Sequence, residues 1–125
     1  MNLWIETNEK LWDNGHHWNE VLWVGSHTMQ IPLDHFRKIA DSYYDAGYGA
    51  PEIPIDLMVV GPDWWLERHE YDGAEWWEFK QYPTEPSREV RPKQIRNNGY
   101  ETLKESVERE DKEENEKKNE EEWFW

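Results

Sequence analysis

The chain has 125 residues, of which 14 are Lys or Arg and 28 are Asp or Glu, with ten tryptophans and no cysteine. That length suits one ordinary domain with a tail, and the lack of cysteine excludes disulfide scaffolds and thiolate zinc sites, so a packed core has to hold the fold. A formal net charge of −14 argues against direct nucleic-acid binding or a basic lipid-binding surface, because phosphate contacts need Lys and Arg.

The opening Met-Asn-Leu-Trp-Ile-Glu-Thr has neither the basic nor the apolar region of a secretory signal, and no apolar run approaches the roughly 20 residues that span a bilayer. The expectation is a cytoplasmic protein with no membrane contact. Leu3–Thr7 alternates apolar and polar residues and predicts a short strand. Asp13-Asn14-Gly15 supplies turn chemistry, since Asn and Gly tolerate positive φ. His17–Val24, rich in Trp and Val and stopped by Gly25, predicts a second strand, and Thr28–Ile31 a short third. Pro32 suits the first turn of a helix. From there Leu33, Phe36, Ile39, Ala40, Tyr43 and Gly47 recur at spacings of three and four, the pattern of an amphipathic helix closing at glycine.

After a Gly49–Pro54 loop, the apolar run Ile55–Val60 predicts a central strand covered on one face by that helix. Gly61-Pro62-Asp63 is a turn. Trp64–Glu70 and Glu75–Tyr82 flank Asp72-Gly73, a pair suited to the type I′ turn of a hairpin. The order ββ(β)αβββ predicts an α+β domain, an antiparallel sheet of about five strands with one packed amphipathic helix.

Charge divides the chain. Residues 1–83 hold 15 acids, 5 bases and eight tryptophans, enough to build a core. Residues 84–99 hold 2 acids and 4 bases and are interrupted by Pro86, Pro92 and Gly99, as a linker would be. Residues 100–125 hold 11 acids and 5 bases and end in Trp123-Phe124-Trp125, with Leu103 and Val107 their sole earlier apolar anchors. The domain boundary is expected near Pro83. Glu105/Arg109, Glu108/Lys112, Glu113/Lys117 and Glu114/Lys118 place an acid four residues before a base, each pair contributing about 0.2–0.5 kcal/mol to an isolated helix. The tail is accordingly expected to be partly helical or disordered.

No residue pattern carries catalysis. Ser26, His27 and Asp34 lack a nucleophile elbow, and the glycines form no phosphate-cradling run. His16, His17, His27, His35 and His69 show no ligand spacing of the zinc-protease kind, so neither metal nor cofactor is expected. The Trp64-Trp65 and Trp76-Trp77 doublets are more informative. Strand neighbours point to opposite faces, so each doublet sends one indole to each side of the sheet. The inward indoles complete a core; the outward ones can anchor a partner, because Trp is enriched in binding hot spots. The acidic excess serves solubility, or imitates nucleic-acid phosphate in the basic groove of an enzyme.

The string from Val59-Val60-Gly61-Pro62-Asp63-Trp64-Trp65 through Trp76-Trp77-Glu78-Phe79-Lys80, with the segments Phe36–Asp41 and Asp45–Gly49 before it, resembles a small tryptophan-rich protein family of phages and prophages of Gram-positive bacteria. The resemblance covers roughly residues 16–83 and carries over no catalytic or binding residue. In size, charge and lack of motifs the chain is similar to anti-CRISPR proteins as a class. The resemblance implies a phage accessory protein, a stoichiometric inhibitor rather than an enzyme. Its partner would be a basic host protein such as a CRISPR effector nuclease of the Cas9 type. The expected contacts are acidic (Asp63, Glu67, Glu70, Asp72, Glu75 and Glu78) and aromatic (Trp65, Trp77, Trp123, Phe124 and Trp125). The alternative is a non-catalytic interaction module that uses an exposed tryptophan face.

Overall fold

The structure, a computed structural model, describes residues 1–47 and 49–123. The chain forms two compact units, Met1–Pro83 and Thr84–Trp125. The first unit is α+β. Its elements are a helix α1 (Leu3–Asp13), a short 3-10 turn (Trp18–Glu20), strands β1 (Trp23–Gly25) and β2 (Gln30–Ile31), a helix α2 (Leu33–Ala40), and strands β3 (Met58–Val60), β4 (Trp64–Tyr71) and β5 (Ala74–Gln81). The five strands form one open antiparallel sheet in the order β2-β1-β3-β4-β5, which puts β3 in the centre.

The N-terminal segment is a helix and not the expected strand. The Asn2 side chain accepts the Ile5 N–H at 3.1 Å and caps the first turn. Leu3, Thr7 and Leu11, four residues apart, are the buried face, so helical periodicity overrides the short alternation at the start. Gly15, at φ +80°, ends α1. Its N–H donates to Trp12 O at 3.0 Å and the His16 N–H to Leu11 O at 2.9 Å, the paired bonds of a Schellman cap. The expected strand over His17–Val24 starts only at Trp23, because the Glu20 carboxylate reaches back to the His17 N–H at 2.6 Å and holds a turn there.

Helix α2 is shorter than its sequence pattern. It stops at Ala40, and the following residues pair with the N-terminal segment: the Leu3 N–H donates to Ser42 O and the Tyr44 N–H to Met1 O. Tyr44 is thereby buried while Tyr43 is exposed. The central strand is likewise trimmed to Met58–Val60, with the Leu57 N–H bonded to Pro54 O and Ile55 in solvent. At the hairpin, Asp72 (φ 51°) and Gly73 (φ 84°) both take positive φ, as a type I′ turn requires.

Strand pairing aligns Ile31, Val24, Val59, Leu66 and Phe79 across one face of the sheet. With Trp64 and Trp77 they pack against Leu3 and Leu11 of α1 and Phe36 and Ala40 of α2 in one core. Both helices therefore lie on the same side. The opposite face carries Trp23–Val60–Trp65–Lys80 in one row, Met58–Glu67–Glu78 in the next, and His69–Trp76 in a third.

In the second unit one helix, α3 (Leu103–Trp123), runs through the acidic tail. Thr102 caps it by accepting the Glu105 N–H at 3.2 Å and donating to the Glu105 carboxylate at 3.1 Å. Residues 84–99 join this unit: the Ser106 hydroxyl donates to Arg96 O at 2.9 Å, and the Lys93 N–H donates to Glu110 at 3.2 Å. The ion pairs differ from the expected four. The Arg109 Nε–H is shared between both Glu101 oxygens at 3.0 Å, and the one-turn pairs are Lys104–Glu108 and Arg109–Glu113, base before acid. Among the described residues no helix is long and apolar enough to cross a membrane.

Candidate functional site

Two places in the first unit gather polar side chains. One is buried. Arg68, on the core face of β4, bonds Glu6 of α1 at 3.1 Å, Glu75 of β5 at 2.9 Å and the Tyr44 hydroxyl at 3.1 Å, and stacks over the Trp77 ring at 4.8 Å. Tyr44 in turn donates to Glu6. Burial, then this bond to Glu6, pushes the Tyr44 phenol up to about 12. Burial pulls the Arg68 guanidinium down, but the contacts with Tyr44, Glu6 and Glu75 outweigh it and hold Arg68 above its ordinary value. The Glu75 carboxylate also accepts the backbone N–H groups of Glu52 (2.7 Å) and Ile53 (3.2 Å), which ties the preceding loop to the sheet. The adjoining space is about 30 Å³, room for little more than a water. The cluster ties α1, β4, β5 and the loop after α2 together.

The second place is the open face. Trp65 donates its indole N–H to Glu67 at 2.7 Å, and Trp76 donates to Glu78 at 3.0 Å, the same two-residue step on both arms of the hairpin. Glu67 and Glu78 are directly opposite one another in the register. His69 approaches Glu67 at 2.8 Å. The Trp65 indole first, and His69 second, hold the Glu67 carboxyl below the usual carboxylate range. Beside this pair lies a groove of about 460 Å³, lined chiefly by Trp23, Met58, Val60, Trp65, Glu67 and Tyr82. The rings of Trp65 and Tyr82 are 5.3 Å apart and tilted by 58°. The groove thus sets largely apolar walls beside one carboxylate held by an indole N–H.

The expected contact residues divide between locations. Glu67, Glu78 and Trp65 share the open face, partly buried. Asp63 and Asp72 are exposed at opposite ends of the hairpin, and Glu70 is exposed beside Glu75 on the core-facing side. Two expectations are corrected. Glu75 is 6% exposed and paired with Arg68, and Trp77 is 1% exposed and donates its indole N–H to Thr7 at 2.9 Å. Neither can meet a partner; the outward indole of that doublet is Trp76. Trp123 closes α3, while Phe124 and Trp125 lie outside the described residues. Trp23, Met58, Tyr82 and Trp76 join the open face without a signal of their own in the sequence pattern. Strand parity alone would have found Trp76 once the inward partner of its doublet was known.

Three of the five histidines, His16, His17 and His69, serve as packing or polar partners. His16 stacks on Trp64 at 4.5 Å and meets Glu20 at 3.2 Å, and His17 packs edge-on to Trp12 at 5.1 Å. Among the described residues, no three of the His, Asp and Glu side chains gather as metal ligands. Comparison with known proteins finds no matching family model, no similar curated protein and no similar solved structure. What stands is a class: an α+β unit with a helix-covered face and an acidic, aromatic open face.

Proposed function

We propose that the first unit is a non-catalytic binding module that grips a basic protein surface with the open face of its sheet. Its concrete role would be a phage accessory protein, a stoichiometric inhibitor of a host nucleic-acid enzyme such as a Cas9-type nuclease. The observation that carries this reading is the pair of opposed carboxylates, Glu67 and Glu78, each fixed by an indole N–H beside an aromatic groove. Two like charges face to face repel one another, and a cationic partner relieves that repulsion. The net charge of −14 adds steering toward a basic groove. A phage origin for the tryptophan-rich string would favour a host target. With Glu75 internal, the mechanism is an anchored grip at the open face, not a continuous track of phosphate-like charge along the hairpin.

The test is cleavage of target DNA by a purified Cas9-type nuclease with added full-length protein. The reading expects loss of cleavage at one-to-one stoichiometry, recovery as salt rises from about 0.05 to 0.5 M, and a weaker block by Glu67→Gln/Glu78→Gln. Full cleavage at micromolar protein, with no complex in gel filtration, would refute the inhibitor role.

A second reading is favoured by α1, where Trp12 is 68% exposed and Ile5 50% exposed beside Trp4 and Trp18. Docking of one partner there would be insensitive to salt and lost in Trp12→Ala.

A further inference from the structure

The groove on the open face is more specific than a general acidic surface. We propose that it is a receptor for one arginine side chain, presented by the basic partner. This rests on the proposed function for the source of the arginine, but on the groove alone for the chemistry.

Four indole or phenol side chains, Trp23, Trp64, Trp65 and Tyr82, line the groove with Met58 and His27, Trp64 being otherwise buried in the core. Tryptophan and tyrosine faces attract a cation, and the attraction grows where water is displaced. Trp65 and Tyr82 are tilted by 58° to one another, so they form two walls and not a closed stack. Glu67 supplies the anion. One of its oxygens accepts the Trp65 indole N–H and the other faces His69, which fixes the carboxylate plane and leaves each oxygen a further lone pair. No Lys or Arg lines the groove, and Lys80, opposite Trp65 in the register, is exposed and makes no ion pair with Glu67 among the described residues.

The choice of arginine over lysine follows from these walls. A guanidinium is planar, weakly hydrated, stacks on aromatic faces and offers two parallel N–H donors to a carboxylate. An ammonium is compact and strongly hydrated, and would give up water to apolar walls for a single contact. The space of about 460 Å³ is within the range of small-ligand sites and admits the whole side chain with its stem.

The experiment is titration of the ¹⁵N-labelled full-length chain with N-acetyl-arginine amide, followed through the indole N–H signals, with the neutral isostere N-acetyl-citrulline amide as the control. The Trp23 and Trp65 signals should move saturably with the arginine derivative, while those of buried Trp77 and of Trp12 on α1 stay in place. Glu67→Gln and Tyr82→Ala should each weaken binding by about fivefold or more; Tyr82 is exposed, so its loss leaves the core intact. Equal movement with citrulline would overturn the proposal. So would affinity unchanged in both variants, or no movement of the Trp65 signal at about 50 mM, far above a millimolar dissociation constant. The two levels fail separately. If arginine binds the groove but no basic protein forms a complex, the proposed function falls and the receptor stands. If a basic protein binds with equal affinity in Glu67→Gln, and arginine amide fails to compete, the receptor falls and the function stands.

Discussion

Replacing Arg68 with Met would test the claim that the buried cluster braces the fold. Methionine keeps an apolar stem beside Trp77 and Tyr44 but removes the charge that faces Glu6 at 3.1 Å and Glu75 at 2.9 Å. Breaking a buried ion pair from one side costs about 3–5 kcal/mol, because the remaining charge is left without its partner. Here the abandoned groups keep some support: Glu75 retains the N–H groups of Glu52 and Ile53, and Glu6 retains the Tyr44 hydroxyl. We therefore expect the lower end, about 3 kcal/mol, which is a large share of the ~4–12 kcal/mol that holds a unit of this size. With a urea dependence of about 1.5 kcal/mol per molar, the midpoint should fall by about 2 M. The assay is urea unfolding of the full chain followed by tryptophan fluorescence, since eight of the ten tryptophans lie in residues 1–83. Arg68→Lys should fall between, keeping the charge but losing the fork that spans Glu6 and Glu75. A midpoint shift of less than about 0.5 M for Arg68→Met would refute the brace and make the cluster energetically idle.

The Tyr44 phenol, raised to about 12 in the folded state against about 10 unfolded, contributes stability that is whole below pH 10 and lost as pH rises toward 12. Thermal melts across that window should decline more steeply for the wild type than for Tyr44→Phe. Glu67 has the opposite sign: lowered by the Trp65 indole and then by His69, it contributes above the ordinary carboxylate range and loses that contribution as pH falls through it. Glu67→Gln should flatten the acid limb of the same stability profile. Gly61→Ala would place a Cβ in overlap with the Trp64 ring, so a loss of about 1–3 kcal/mol is expected in urea unfolding, with the Trp64 indole displaced. Thr102→Ala removes the N-cap of α3 and should lower helical circular dichroism at a cost of about 1 kcal/mol, without altering the near-ultraviolet signal of the first unit.

The parts of the fold that could be read from the sequence are those where neighbours in the chain settle the outcome. Asp72-Gly73 carries its own conformational preference, and the strands on either side need little else to pair. Leu33, Phe36 and Ala40 fix the buried side of α2 in the same local way. The N-terminal helix was hidden because Leu3–Thr7 satisfies a strand pattern over five residues, and only Leu11 and the Asn2 cap show the longer period. The site was half legible. Alternation requires one outward indole in each doublet, but the choice of Trp76 over Trp77 is made by Thr7, 70 positions away in the chain. Glu75 reads as a surface acid because its cross-strand neighbour is Glu70, and the buried Arg68 that pairs with it lies on the diagonal. The grouping of Trp23 with Trp65 exists only through the register of β1, β3 and β4.

The tryptophan doublets have a consequence for strand alignment. Sliding β5 by one position along β4 would exchange Trp76 for Trp77 and still deliver one indole to each side of the sheet. As far as the indoles are concerned, the two alignments are nearly degenerate, and hydrophobicity at those positions is a poor guide to which one forms. The polar side chains break the tie. In the slipped arrangement Glu78 and Lys80 would enter the core face, Glu75 would leave Arg68, and Thr7 would lose the indole N–H it now accepts. A one-residue slip turns every side chain over, so the buried charges act as a key that fits a single alignment, while the large aromatic surfaces supply adhesion that would serve either.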